Sequence, residues 1–341
     1  MKEILKQLCA ANGVPGYEDE VRECIRQMVE PYADEIIEDH LGNLLVLKKG
    51  AKPRKAPMMV CAHMDEVGFL ISRITSDGMF KIVPSGGIDP RVLVGRRMEV
   101  GQKKVPGVIS LKAIHLTTPE ERKVAPGLDT LYIDIGASSQ KEAEQYARVG
   151  DYATFDSRWV EFGEERIRSK AIDDRIGCAV MVELIREGVE KDTWFAFVVG
   201  EEIGSRGAQA AASRLKPRWG LVIEGTTAAD IPGVREHERS CFQGGGAVVS
   251  LADRGSVYNR EFVRCLTGKA DEAGIRWQYR ASMNGSTDAG VMHQAGEGAQ
   301  VFGLAAPVRY IHSASNVLHW PDAEEVLKMA RLVVKEAECD D

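Results

Sequence analysis

The chain has 341 residues and a formal charge of −7, because 51 acidic residues outnumber 44 Lys and Arg residues. Its composition, 44% hydrophobic and 28% charged, is ordinary for a folded globular protein and excludes a disordered or fibrous chain. The longest apolar runs are strand-sized, which argues against a membrane-spanning helix, and the mildly acidic balance argues against nucleic acid as a partner.

The N-terminal residues and the cysteines indicate the compartment. Residues 1–13 lack the continuous apolar core of a secretory signal. The seven cysteines are an odd number, lie far apart and include no CxxC pair. We therefore expect a cytoplasmic protein whose cysteines are reduced, mostly buried thiols rather than a disulfide framework.

The first 66 residues are predicted to form a helix and two strands. Apolar residues from Val21 to Val29 share one face of a helix that Pro31 ends. The runs 43–48 and 58–62 are strand-like, since both are short and rich in apolar residues.

Between residues 67 and 157 the pattern changes to short β-rich runs separated by Gly and Pro. The predicted strands are 68–75, 79–84, 97–101, 107–113 and 131–136. Only the segment 139–148 has the pattern of a helix. The sequence therefore predicts an all-β insertion, barrel-like or sandwich-like, over residues 67–157.

From about residue 166 helices and strands alternate to the C-terminus, which is typical of a sheet with helices on its faces. The predicted helices are 175–186, 205–215, 258–273 and 323–338, and the predicted strands are 194–199, 219–223 and 301–304. We therefore predict one discontinuous α/β domain from residues 1–66 and 158–341, interrupted by the β-rich domain 67–157.

Polar residues follow apolar strands at four places, and ligands of an α/β sheet collect beyond the carboxyl ends of its strands. The four are His63-Met64-Asp65-Glu66, Gly200-Glu201-Glu202, Glu224-Gly225 and His312-Ser313, and Asp173-Asp174 precedes a helix. Each alone has an ordinary structural explanation, such as a helix N-cap or a solvated loop. Together, two histidines and three carboxylates at one sheet edge are the right number and kind for a two-zinc site.

The spacing within two of these motifs separates their roles. In His63-x-Asp65 alternate side chains point the same way, so Asp65 can accept the second imidazole N–H of His63. The neighbours Glu201 and Glu202 point in different directions, so one can bind metal while the other stays free as a base. This arrangement argues against a glycosidase, which needs two carboxylates facing each other across roughly 5–10 Å of substrate.

The order of these motifs resembles the M42 family of metallo-aminopeptidases, the glutamyl and tetrahedral aminopeptidase group within the co-catalytic zinc exopeptidases. The matching stretches are GN at 42–43, AHMDEVG at 62–68, SKAIDDRIGC at 169–178, GEEIG at 200–204, TDA at 287–289 and RYIHS at 309–313, with GGID at 86–89 and YIDIGA at 132–137 inside the insertion. The resemblance covers essentially the whole chain, and the combination of motifs makes it specific.

The resemblance implies a fold and an activity. The fold would be an α/β, mixed-sheet catalytic domain like that of zinc exopeptidases, with an inserted all-β dimerisation domain that is barrel-like or PDZ-like. The activity would be release of N-terminal residues from short peptides by two metals that activate a bridging water. Dimers would be the building block, either alone or assembled into a hollow tetrahedral dodecamer.

The resemblance also implies roles for individual residues. The metal ligands would be His63 and Glu224 on one ion, Glu202 and His312 on the other, and Asp173 bridging both. Glu201 would be the general base, and Asp65 would be the catalytic aspartate beside the ligands. The family often has Asp where this chain has Glu224, which leaves Asp230 as an alternative ligand. Zinc is the expected ion, with cobalt or manganese as alternatives.

Other functions and the substrate preference stay open. A metal-dependent deacylase or amidohydrolase acting on small amides is the nearest alternative, followed by an endoglucanase, and a non-enzymatic scaffold would not need an intact ligand set. The insertion could instead only stabilise the sheet edge. Arg254, Arg280 or Arg309 could favour acidic side chains in a substrate, but the sequence does not choose among them.

Overall fold

The protein is described here by a computed structural model over residues 1–339, so the last two residues of the predicted 158–341 domain lie outside the described part. Its α-helices are α1 Lys2–Ala10, α2 Asp19–Val29, α3 Gln140–Ala143, α4 Ile172–Glu187, α5 Arg206–Leu215, α6 Arg260–Glu272, α7 Ala289–Met292 and α8 Trp320–Glu336. Its strands are β1 Glu35–Glu38, β2 Leu44–Lys48, β3 Met58–His63, β4 Gly68–Ile74, β5 Phe80–Ser85, β6 Arg97–Val100, β7 Val105–Ser110, β8 Tyr132–Asp134, β9 Tyr152–Phe155, β10 Val160–Phe162, β11 Arg166–Ser169, β12 Thr193–Val198, β13 Trp219–Thr227, β14 Ala247–Val249, β15 Trp277–Tyr279, β16 Gln300–Arg309 and β17 Asn316–His319.

Within residues 1–339, eleven strands form one mixed sheet. Nine of them run in the order β1-β2-β12-β3-β13-β16-β17-β11-β10, while β14 pairs with β16 and β15 pairs with β14. The four central strands β12, β3, β13 and β16 are parallel to one another. Their carboxyl ends therefore meet at one edge of the sheet, which confirms the predicted mixed α/β architecture.

The helices cover this sheet through apolar faces that the sequence already contains. In α2 the buried residues are Val21, Ile25, Met28 and Val29, and the helix gives way to a 3-10 turn that contains Pro31. In β3 every residue is buried, as expected for a central parallel strand with helices on both faces. The predicted helix face and its end at Pro31 are thus confirmed.

The insertion contains a closed six-stranded barrel in the order β4-β5-β8-β7-β6-β9. Its core includes Phe69, Phe80 and Phe155, and the rings of Phe69 and Phe155 meet edge to face at 6.1 Å. The strand β9, which was not predicted, closes the barrel by pairing with both β4 and β6. All barrel strands fall within the predicted insertion, while the domain boundaries themselves stay a prediction.

Two expectations for these elements are wrong in detail. Of the helix predicted over residues 139–148, only the short α3 forms. Ala143 and Ala147 are the only buried apolar side chains of this segment, which is too few to stabilise a longer helix. The cysteines are not all reduced thiols, because Cys265 of α6 and Cys339, which follows α8, form a disulfide. Their Cα atoms are 6.6 Å apart although they are 74 residues apart in sequence.

No helix within residues 1–339 is long and apolar enough to cross a membrane.

Candidate active site

The predicted site residues gather at the carboxyl edge of the central strands. His63 is the last residue of β3, and Glu201 and Glu202 follow β12. Glu224 lies inside β13, because this strand runs to Thr227 and not to residue 223 as predicted. His312 lies in the turn between β16 and β17.

Asp173 reaches the same edge from the start of α4. Its backbone is not helical, and its Oδ1 accepts the Gly225 N–H at 3.0 Å. A Cβ atom at Gly225 would lie 2.8–3.0 Å from atoms of Asp173, so only glycine fits there. The neighbouring Asp174 stabilises the local backbone instead, because its carboxylate accepts the N–H groups of His63 and Gly177 at 3.2 and 2.9 Å. Asp173 therefore contributes to the candidate site, whereas Asp174 stabilises the fold.

The structure brings the five predicted ligands together in two clusters. His63 Nε2 lies 3.4 Å from Glu224 Oε2 and 3.8 Å from Asp173 Oδ1. His312 Nε2 lies 3.4 Å from Glu202 Oε1 and 3.7 Å from Asp173 Oδ2. In each cluster the three ligand atoms lie within 4.8 Å of one another. Asp173 thus presents one oxygen to each histidine.

The electrostatics of these clusters fit bound cations. Burial raises the pKa of Glu224 and of Glu202 to about 7, and neighbouring carboxylates add to the shift. Burial would lower the pKa of His312, but Asp173 and Glu202 raise it to about 9. The buried Oε1 of Glu224 has no hydrogen-bond partner among residues 1–339. Crowded, under-satisfied carboxylates and imidazoles are a donor set that suits zinc and other borderline divalent ions.

Glu201 and Asp65 lie beside the clusters rather than in them. Glu201 Oε2 is 4.0 Å from His63 Nε2, and burial together with Glu224 raises its pKa well above the usual range. The fully buried Asp65 carboxylate accepts the backbone N–H groups of Glu201 and Glu202, both at 3.0 Å. Asp65 therefore fixes the loop that carries both glutamates.

The contact between Asp65 and His63 differs in detail from the sequence prediction. His63 Nδ1 is 3.1 Å from the Asp65 main-chain oxygen and 3.5 Å from its carboxylate. The main chain, more than the side chain, is therefore placed to orient the imidazole. Burial would raise the pKa of Asp65, but His63 and the two N–H donors hold it below the usual range.

Asp230, the alternative ligand, is not part of either cluster. Its carboxylate binds the Arg309 guanidinium through two hydrogen bonds of 2.7 Å and accepts the Gln243 N–H at 3.0 Å. The salt bridge occupies this carboxylate, so the geometry favours Glu224 over Asp230 as the candidate ligand. It also removes Arg309 from the arginines that could meet a substrate.

Several buried polar residues around the site were not predicted. Glu18, at the start of α2, accepts the Gly200 N–H at 3.2 Å, and burial raises its pKa to about 7. Lys170 and Glu66 form a buried ion pair of 2.7 Å, and Thr154 of the barrel donates to the same glutamate at 3.0 Å. The sequence does not indicate these contacts, because the partners come from segments far apart in the chain.

A cavity of about 1080 Å³ opens onto the metal-ligand clusters. Its wall includes His63, Asp173 and His312, residues of the barrel such as Arg96, and the loop 282–287. This volume is at the upper end of ordinary ligand pockets and can hold a short peptide.

Comparison with known proteins identifies the family. Residues 42–329 match the family model described as M42 glutamyl aminopeptidase. A putative aminopeptidase of Escherichia coli K12 is 32% identical, with 96% of this chain and 93% of the relative covered. A lysyl aminopeptidase of Pyrococcus furiosus is 30% identical, with 98% of this chain and 96% of the relative covered.

Solved structures agree over the same length. A TET aminopeptidase from a Thaumarchaeota archaeon of marine sediment is 33% identical with a TM-score of 0.94, covering 98% of this chain and 95% of that one. The TET1 peptidase of Pyrococcus horikoshii is 30% identical with a TM-score of 0.86, covering 98% of this chain and 99% of that one. That peptidase can assemble into a tetrahedron or a large octahedral shell. A Thermotoga maritima protein described as an endoglucanase is 33% identical with a TM-score of 0.82, covering 98% and 97%. The chain therefore belongs to the M42 family of metal-dependent aminopeptidases and is a peptide hydrolase.

Proposed function

We propose that this chain releases N-terminal residues from short peptides with two divalent metal ions bound at its five-ligand site. His63 and Glu224 would hold one ion, Glu202 and His312 the other, and Asp173 both. The observation that supports this most directly is Asp173, whose two oxygens face two separate histidine–glutamate pairs. Zinc is the proposed ion, with cobalt and manganese as alternatives that suit the same ligands.

When bound, the two ions would supply the Lewis acidity that polarises the scissile carbonyl and activates water. The protein residues supply the proton transfers. Glu201 lies beside the clusters without belonging to them, so its carboxylate is free to take a proton from the attacking water and deliver it to the leaving amine. Asp65 holds the Glu201 backbone and so keeps this base in place.

Replacing Glu201 with Gln tests the proposed base. We expect Glu201→Gln to lower kcat on leucyl p-nitroanilide by at least about 100-fold, the usual contribution of a general base. Its metal content, measured by elemental analysis, should stay near wild type, whereas Glu202→Gln should lose part of the bound metal. Turnover retained by Glu201→Gln would contradict the assignment of this residue.

The oligomeric state and the location are also proposals. We propose a homo-oligomer built from dimers that use the inserted barrel. Ile114, Leu116 and Val124 in this domain are 71%, 60% and 68% exposed, and apolar side chains exposed in one subunit can be buried in an interface. From the chain mass of 37.4 kDa, light scattering should give about 75 kDa for a dimer and about 450 kDa for a twelve-subunit shell. The cytoplasmic location stays a prediction from the sequence.

An endoglucanase is the second candidate, favoured by the name of one similar structure. The two adjacent glutamates do not face each other across a groove, because Glu202 contacts His312 and Glu201 lies near His63. A deacylase acting on small amides would share the same metal chemistry. Aminoacyl p-nitroanilides, N-acyl amino acids and cello-oligosaccharides, each assayed with and without chelator, would separate the three activities.

A further inference from the structure

One wall of the active-site cavity carries hydrogen-bond donors that no group within residues 1–339 satisfies. They are the hydroxyl Oγ of Ser240 and the Nε of Arg280, both buried and both without a partner among residues 1–339. Both residues line the cavity, and Ser240 is only 7% exposed. Both donor atoms are enclosed within the wall, so a small rotation of either side chain toward the cavity would let a ligand there satisfy it. Because unpaired buried donors are costly, such a rotation would be favourable once a ligand is present.

The backbone brings these two donors together and fixes the arginine. The Ala281 N–H donates to the Ser240 carbonyl at 2.8 Å, so the two segments lie side by side. The Arg280 guanidinium donates from Nη2 to the Asn284 carbonyl, within the loop 282–287 that also lines the cavity. A main-chain carbonyl therefore holds the guanidinium, and no carboxylate in the described chain neutralises it.

The other charges on this wall are already compensated or exposed to solvent. Glu238 pairs with Arg235, and Asp89 pairs with Arg91 at 2.5 Å. Arg96 also lines the cavity, but its side chain is exposed and donates to the Val92 carbonyl at 2.8 Å.

The structure also chooses among the three arginines that the sequence left open. Arg309 is bound to Asp230, and Arg254 is exposed and does not line the cavity. Only Arg280 combines a place on the cavity wall, partial burial and an uncompensated charge.

We propose that Arg280 and Ser240 form an anion subsite that binds a carboxylate of the peptide substrate. The inference rests on the aminopeptidase function proposed above. A guanidinium binds carboxylates through charge-assisted hydrogen bonds, and a serine hydroxyl can add one further bond. Family membership does not set this preference, because the family is described as glutamyl aminopeptidase while one relative is a lysyl aminopeptidase.

Two carboxylates of a peptide have the required chemistry. One is the acidic side chain of the N-terminal residue, and the other is the C-terminal carboxylate of a short peptide. Glutamyl and glutaminyl p-nitroanilides differ only in that side-chain charge, so their kcat/KM ratio tests the first source. Leu-Gly-Gly and its C-terminal amide differ only in the terminal charge, so their ratio tests the second.

The variants are Arg280→Gln and Ser240→Ala, with Arg254→Gln as the control that removes the same charge from an exposed position nearby. The wild type should prefer the charged member of at least one pair. In that pair Arg280→Gln should lower the ratio by about 10-fold or more, as expected for the loss of a charged hydrogen bond, and Ser240→Ala should lower it less. Arg280→Lys keeps the positive charge and should retain part of the preference for the charged substrate. This variant replaces Arg280→Gln in the test if Arg280→Gln folds poorly.

The outcomes separate this inference from the proposed function. The subsite alone would be overturned if Arg280→Gln still hydrolyses leucyl p-nitroanilide but leaves the kcat/KM ratio of charged to uncharged substrate unchanged in both pairs. A wild type that prefers the uncharged member of both pairs would overturn it as well. Failure of the wild type to hydrolyse any of these substrates with zinc, cobalt or manganese would overturn the proposed function and the subsite with it.

Discussion

The substitution Asp65→Asn tests whether one buried carboxylate positions the catalytic loop. This carboxylate accepts two backbone N–H groups at 3.0 Å, and a hydrogen bond to a charged group contributes about 1.5–3 kcal/mol. Asparagine keeps one acceptor oxygen, so one bond persists in a weaker form while the other N–H faces an amide donor. We expect the variant to lose about 2–4 kcal/mol of unfolding free energy.

The chain offers a matched control for this substitution. Asp322 is also fully buried, accepts the N–H groups of Gly244 and Gly246 at 2.7 and 2.9 Å, and lies 3.1 Å from Nδ1 of His319. It does not line the active-site cavity. Asp322→Asn should therefore cost a similar stability without displacing the catalytic loop.

Both variants are compared by urea unfolding of chelator-treated protein and by kcat/KM on leucyl p-nitroanilide below the unfolding transition. We expect Asp65→Asn to lower kcat/KM by at least about 100-fold, as for a misplaced catalytic group, and Asp322→Asn to stay within a few-fold of wild type. If both variants lose the same stability and the same activity, or if Asp65→Asn stays active, Asp65 does not position Glu201 in the way described.

Two further predictions concern residues that support the site. Gly225→Ala should weaken metal binding by at least about 10-fold in a chelator competition assay, because its Cβ would displace Asp173; unchanged affinity would contradict the close packing. The pKa of Glu18 is raised from 4.5 to about 7, first by burial and then by Asp65, so the folded state binds more protons between these pH values and loses stability as pH rises. In urea unfolding, the Glu18→Gln variant should therefore have the same unfolding free energy as wild type near pH 4 and a value about 1–3 kcal/mol higher at pH 8. A difference that stays constant across this pH range would refute the raised pKa of Glu18.

The sequence determined the elements whose signal is local. The apolar face of α2 and its end at Pro31 follow from a period of 3.6 residues and from a side chain that cannot continue a helix. The short strands β9 and β17 were missed, because their stability comes from pairing with distant strands and not from any pattern of their own. The disulfide between Cys265 and Cys339 was missed for the same reason.

The sequence also predicts where the candidate ligands lie, because His63, Asp173, Glu202, Glu224 and His312 belong to polar segments beside strands or at the start of a helix. The choice of Asp173 over Asp174 and of Glu202 over Glu201 came from the family resemblance. Residue type and position relative to a strand are local properties, and parallel strands bring their carboxyl ends together. The contacts of the surrounding groups, in contrast, depend on how distant segments pack. The geometry disfavours Asp230 as a ligand because its carboxylate binds Arg309, 79 residues away in the sequence. Likewise, Arg280 could be singled out only by the cavity and by its unpaired Nε, since burial and hydrogen-bond satisfaction arise when distant segments pack.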